Sequence, residues 1–167
     1  MKKVFIVLAV MFIVGIGCKK TIDPGGRPCA CSPISNVYFS LSVKSSNGSD
    51  LLNAANPGAY SKDQIQLYYK DAQGVSKSVD FSIRPPFSTP KTTYAFNQLF
   101  SNTLAEIARS GNHIFFLKLG DRQPMELNVK VVGTKTEGLL IDQVEVPLEP
   151  ATADDELYLK SIFSLKL

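Results

Sequence analysis

The sequence contains no tryptophan, a single histidine and only three cysteines in 167 residues. With one histidine, a histidine-ligated catalytic zinc would need unusual partners. A Ser-His-Asp triad is formally open because serines are plentiful, but no G-x-S-x-G elbow is present. No glycine-rich loop cradles a phosphate, and no dinucleotide fingerprint occurs. His113 precedes an apolar run beside Gly111 and Asn112 and reads as a strand-edge residue. Asp121 and Glu126 would serve glycoside hydrolysis only if folding set them ~5–9 Å apart across a cleft. Both flank a turn, where acids are ordinary. No catalytic set is legible, and no cofactor is expected.

Excess charge is also scarce. The chain has 18 basic and 15 acidic residues. Two of the basic residues, Lys2 and Lys3, belong to a leader. Without them the balance is 16 against 15, which leaves no electrostatic footprint for nucleic acid. The acids are unevenly placed: between Lys135 and Lys160 stand Glu137, Asp142, Glu145, Glu149, Asp154, Asp155 and Glu156, with no base among them. Asp154-Asp155-Glu156 has calcium-type ligands but lacks the D-x-D-x-D-G loop pattern. The run reads as a solvated turn before the last strand.

The first long feature is MKKVFIVLAVMFIVGIGC. Two lysines are followed by 14 uncharged residues, Val4 to Gly17, and then Cys18. Such a segment is an address rather than part of a fold. A membrane-spanning helix needs ~20 apolar residues, so this run is short by more than a turn. An ordinary secretory signal would want an A-x-A-like site, which Gly15-Ile16-Gly17 supplies only loosely. The segment resembles a lipobox. Ile16 and Gly17 fit the two places before the cysteine, while Gly15 stands where leucine is usual. The resemblance implies acylation of Cys18 after removal of residues 1–17. Several acyl chains satisfy the need for more than one lipid in stable anchoring.

Residues 18–35 hold three prolines, two glycines and few large apolar residues, and read as a tether. Cys29 and Cys31 lie there, in Pro28-Cys-Ala-Cys. Export would permit a disulfide. A Cys-x-Cys ring is small and strained, and strained disulfides are labile. A thiol-redox site or a Cu(I) chelate is the functional reading. An inert pair near the tether is the plainer one.

The domain is expected over residues 36–167, and its period is mostly two. Val37, Phe39, Leu41 and Val43 alternate with Tyr38, Ser40, Ser42 and Lys44, which predicts a half-buried strand. Asn47-Gly48 predicts a turn. Ile65, Leu67 and Tyr69 form the next apolar face, and Val79, Phe81 and Ile83 continue the pattern. Pro85, Pro86 and Pro90 mark a break. Tyr94 and Phe96 suggest a short strand. Thr103-x-x-Glu106 matches a capping box, which predicts a one- to two-turn helix within Leu99–Arg109. Further strands are expected over His113–Leu119, Met125–Val131, Leu139–Val146 and Leu157–Leu167, with a turn from Gly133 to Gly138. Seven to nine short strands with at most one short helix predict an all-β fold. The expected form is an antiparallel, immunoglobulin-like β-sandwich.

Two residues of β-type sequence stand out as candidate contacts. On a strand, one of Tyr68 and Tyr69 must point outward and could anchor a partner or a sugar. Gly48 suits a positive φ, and Asp50 can bond loop amides. Leu51 and Leu52 would then plug the core.

Val37-Tyr-Phe-Ser-Leu-Ser-Val43, Asn47-Gly-Ser-Asp-Leu-Leu-Asn53, Ile65-Gln-Leu-Tyr-Tyr69 and Phe115-Phe-Leu-Lys-Leu-Gly-Asp121 are four short segments, 26 residues in all. They resemble segments of small envelope lipoproteins of the Bacteroidetes, in which Cys-Lys-Lys also follows the leader. The resemblance implies an exported β-sandwich and transfers no catalytic residue. Lys19-Lys20-Thr21-Ile22-Asp23 lacks the acidic run that such proteins carry when sent to the cell surface. An outer-membrane anchor facing the periplasm is therefore expected. The function expected is a non-enzymatic binding or structural role toward an envelope component. The alternatives are thiol-redox or copper handling at Cys29 and Cys31, and a glycan-binding accessory role.

Overall fold

Alternation in the sequence becomes two packed sheets in the computed structural model, which describes residues 37–88, 93–150 and 162–167. Cys18, Cys29, Cys31, Asp154–Glu156 and the Leu157–Leu159 part of the expected last strand lie outside them. The four-stranded sheet is built from β1 (Phe39–Lys44), β4 (Ser82–Arg84), β7 (Gln98–Ser101) and β12 (Ile162–Lys166), in the order β12-β1-β7-β4. The six-stranded sheet contains β2 (Ile65–Lys70), β3 (Ser76–Ser78), β8 (Ile114–Leu119), β9 (Met125–Val132), β10 (Lys135–Ile141) and β11 (Val144–Glu145). Its order is β11-β10-β9-β8-β2-β3. A third, two-stranded piece joins β5 (Phe87–Ser88) to β6 (Thr93–Tyr94). All pairings are antiparallel except β1 with β12.

The all-β sandwich is thus the observed architecture, with twelve short strands among the described residues rather than seven to nine. The immunoglobulin-like topology is a finer expectation that this strand order does not establish. Phe39, Leu41, Leu99 and Phe163 face Leu67, Phe115, Leu117, Leu127 and Leu139 in one buried core. Each such side chain contributes roughly 1.5–3 kcal/mol by leaving water.

Both seams of the sandwich are crossed by chain that changes sheet. On one side Val79 N–H donates to Leu67 at 2.8 Å, still in the six-stranded sheet, and three residues later β4 pairs with β7. On the other, Val146 N–H donates to Leu139 at 2.9 Å. Directly after it Pro147 accepts from Ser164 N–H and Glu149 N–H donates to Ile162, each at 2.8 Å, in the four-stranded sheet. Such crossings form the corners of a sandwich.

The single described α-helix, α1 (Asn102–Arg109), buries Leu104, Ala105 and Ala108. Its cap is Ser101, not Thr103. Ser101 Oγ accepts from Leu104 N–H at 3.0 Å and donates to the Asp80 carbonyl at 2.6 Å. The Thr103/Glu106 pattern gave the right element with the wrong cap, because β7 feeds straight into the helix and leaves its last serine in extended geometry.

Two turns also differ from expectation. Gly133-Thr134 alone reverses the chain, so Lys135–Gly138 is strand and not turn, with a bulge between Thr136 and Gly138. The expected strand Leu139–Val146 is broken at Asp142-Gln143, whose φ values of 49° and 68° make a two-residue hairpin. Asp142 tolerates that left-handed geometry better than most residues. It is held there by the Glu126 N–H, which donates to its Oδ1 at 2.9 Å. Of the expected strand at Tyr94 and Phe96, only Thr93–Tyr94 forms.

Candidate functional site

The two sheets differ in what lies on their outward faces. The outward residues of β1 are Ser40, Ser42 and Lys44, expected to meet solvent. Ser40 and Ser42 are instead fully buried. The β5–β6 hairpin roofs them: Phe87 stacks on Tyr94 at 4.8 Å, Tyr94 meets Phe96 edge-on, and these pack with Tyr38 and Ile162 in a second small core. Beneath this roof Ser40 donates to Gln98 Oε1 at 2.7 Å. Glu149, expected in a solvated acidic run, is 4% exposed and holds Lys44 Nζ at 2.6 Å, with Ser42 donating to the same carboxylate. Burial raises the carboxyl pKa. Hydrogen bonds from Lys44, Ser42 and Ser164 outweigh burial and hold it below the usual glutamate value. Lys44 also lies 4.5 Å from the Phe96 ring centre. The Nε2 atom of Gln98 is buried and finds no hydrogen-bond partner among the described residues.

Asp50 ties this roofed side to the neighbouring loop. Its Oδ1 accepts from Leu52 N–H at 2.8 Å, and its Oδ2 accepts from Asn97 N–H at 2.7 Å and from Asn97 Nδ2 at 3.0 Å. Gly48, at φ 86°, lets the chain turn after β1 so that Asp50 comes back opposite Lys44. Leu51 and Leu52 are buried in the core. Gly48 and Asp50 thus occupy a structural turn with every Asp50 carboxylate oxygen engaged.

Among the described residues, the outward face of the six-stranded sheet carries no such roof over Tyr68. β2 alternates Ile65, Leu67 and Tyr69 inward with Gln66, Tyr68 and Lys70 outward. Tyr69 meets core Phe115 edge-on at 6.3 Å. Tyr68 and Phe116, opposite each other on β2 and β8, stack at 5.3 Å with planes 19° apart. Lys70 Nζ lies 5.2 Å from the Phe116 ring centre. Beyond Tyr68 the next strand presents only Ser76 and Ser78, with Ser78 opposite the tyrosine. Small side chains beside a large ring leave an open groove of about 570 Å³, bordered by Gln66, Tyr68, Ser76, Ser78, Phe81, Lys118 and Pro124. The β2–β3 turn is fixed by Asp71: the Val75 N–H hydrogen bond, foremost, holds its pKa below the ordinary value, with Gln73 N–H and Lys77 adding to it.

Other candidates do not converge. His113 is exposed, with Nδ1 3.1 Å from the Val129 carbonyl oxygen. It borders a separate groove of about 370 Å³ with Asn128, Lys130, Leu140 and Glu145. Glu126 is engaged by the Asp142-Gln143 turn, accepting from Gln143 Nε2 at 3.0 Å. Asp121 stands in the exposed turn after β8. Among the described residues no group of three or more His, Cys, Asp or Glu side chains could hold a metal, and no helix is long and apolar enough to cross a membrane.

Sequence reasoning singled out Tyr68 and Tyr69 together without deciding which faces outward, and it missed Phe116, Lys118 and the two serines; Tyr69 packs against the core and is not a surface contact. Phe115-Phe116 signalled that one ring must face out, but the register that sets Phe116 beside Tyr68 joins residues 48 positions apart. No protein-family model, curated protein or solved structure matches the chain.

Proposed function

We propose that this protein is a non-enzymatic binding module, held at a bacterial envelope membrane by acylated Cys18 and presenting the outer face of its six-stranded sheet to an envelope partner. The observation that carries this reading is the contrast between the faces. Among the described residues, one is roofed by the chain itself, while the other leaves a stacked aromatic pair and a groove uncovered. An outward tyrosine supplies a rigid contact surface with a polar tip, which suits recognition. No acid, base and nucleophile converge at the groove, so retention rather than conversion of a ligand fits its chemistry.

Two measurements test the reading. Mass spectrometry of the mature N-terminus should find acylated Cys18; an intact Met1 or a free N-terminus elsewhere refutes the anchor. A photo-reactive phenylalanine analogue in place of Ser78 should give an adduct in native membranes. The same analogue in place of Ser88, on the roof, should give none. Adducts from the roof position alone overturn the assignment of the face.

A further inference from the structure

From the chemistry of the groove beside Tyr68 we infer that its ligand is an anionic polysaccharide strand; this rests on the binding-module reading above. The outward residues of β2, β3 and β8 are Gln66, Tyr68, Lys70, Ser76, Ser78, Ile114, Phe116 and Lys118. They include two lysines and no carboxylate; beyond β8 the face continues to Glu126 of β9, opposite Phe116, whose carboxylate accepts from Gln143 Nε2 at 3.0 Å. Asp71, the nearest acid in the chain to Lys70, is occupied by Lys77 and by two backbone amides.

The two lysines do not converge on one point. Lys118 stands opposite Gln66, and Lys70 lies four residues further along β2, so their backbones are about 13 Å apart along the strand with Tyr68 between them. A single small anion would need converging donors. Two separated cations flanking an aromatic ring match a chain that repeats its negative groups and offers an apolar C–H face between them. Ser76, Ser78 and Gln66 supply hydroxyl and amide groups that exchange hydrogen bonds with sugar hydroxyls.

A protein partner fits less well. The core of a protein interface is predominantly apolar, whereas among the outward residues of β2, β3 and β8 the only large aliphatic is Ile114, at 44% exposure. A nucleic acid would call for a denser basic stripe than two lysines. Each lysine contributes a screened, salt-sensitive attraction, and the ring contributes contact that salt does not weaken.

The test is affinity electrophoresis of the full-length protein in detergent micelles, through gels containing polygalacturonate, alginate or chondroitin sulfate. Methyl-esterified polygalacturonate, which keeps the backbone and loses the charge, is the control. At least one acidic polymer should retard the protein, and added salt should weaken the retardation. Tyr68→Ala should weaken it about tenfold or more. Lys70→Gln with Lys118→Gln should weaken it comparably, while the esterified polymer retards little. Equal retardation by the esterified polymer, or indifference to both lysine changes, overturns the anionic assignment and leaves a glycan-binding face. No retardation by any polymer, together with Tyr68-dependent cross-linking to a protein from position 78, overturns the polysaccharide inference while the binding-module reading stands. No retardation and no adduct removes both. Thermal denaturation of each variant confirms that a loss of binding is not a loss of folding.

Discussion

The two outer sheet faces are built from similar residue types and put them to opposite ends. The four-stranded sheet points Ser40, Ser42, Gln98 and Lys44 outward, then buries them under β5–β6 and the chain near Glu149. The six-stranded sheet points Gln66, Tyr68, Lys70, Ser76 and Ser78 outward and leaves them accessible. What separates them is the roof. Phe87, Tyr94 and Phe96 cover the first face with apolar rings, and its polar groups, Gln98 Nε2 apart, satisfy one another. On the second face the rings Tyr68 and Phe116 belong to the sheet itself, and among the described residues no apolar layer lies above them. Polar side chains on a strand therefore do not by themselves indicate solvent.

The largest effect expected from breaking this contrast is on the roof. Tyr94→Ala should lose about 3–5 kcal/mol, because the ring is fully buried and pins the hairpin over β1. Denaturant unfolding measures the loss, and faster amide exchange in β1 and β7 should accompany it. A change under 1 kcal/mol would mean that the roof is incidental.

Next in size is the buried ion pair. Glu149→Ala leaves Lys44, itself only 19% exposed, without its carboxylate and should cost about 3 kcal/mol. The same pair predicts a pH dependence. Glu149 titrates lower in the folded state than its ordinary value of 4.5. The unfolded chain therefore takes up the proton first as pH falls. The contribution is complete above about pH 4.5 and is lost as pH drops through the lower, folded pKa. Glu149→Gln should flatten the acid limb of a stability–pH curve; an unchanged acid limb would contradict the pairing.

Smaller effects belong to the open face and the turn. Tyr68→Ala should cost only about 1 kcal/mol of stability, the worth of a half-buried ring pair, while abolishing most binding. Gly48→Ala should cost about 1 kcal/mol through backbone strain alone, since no atom lies within 4 Å of the added methyl. A larger loss at Tyr68 than at Glu149 would reverse the assignment of structural and functional faces.

The strands that alternate cleanly were readable: β2, β8 and β9 each bury the face their sequence marks as apolar. So was the turn at Gly48. The roof was not, because period two identifies which side of a strand is apolar but not what lies over the other side. Ser42 meets Glu149 across 107 residues, a pairing that local patterning does not encode. The same limit hid the candidate site. Tyr68 could be nominated because adjacent tyrosines on a strand must face opposite ways, but its groove arises from the register that sets Ser78 and Phe116 on either side. At Asp142-Gln143 the core-side positions change phase, from Leu139 and Ile141 to Val144 and Val146, and apolar residues on both faces hid that shift.

Hydrogen–deuterium exchange of the full-length protein in the membranes of its own cell, compared with the protein purified in detergent, tests the asymmetry most directly. Added protection confined to residues 65–70, 76–78 and 114–119 is the predicted result. Added protection over residues 38–44 and 93–101 instead, or no difference between the two preparations, would contradict it.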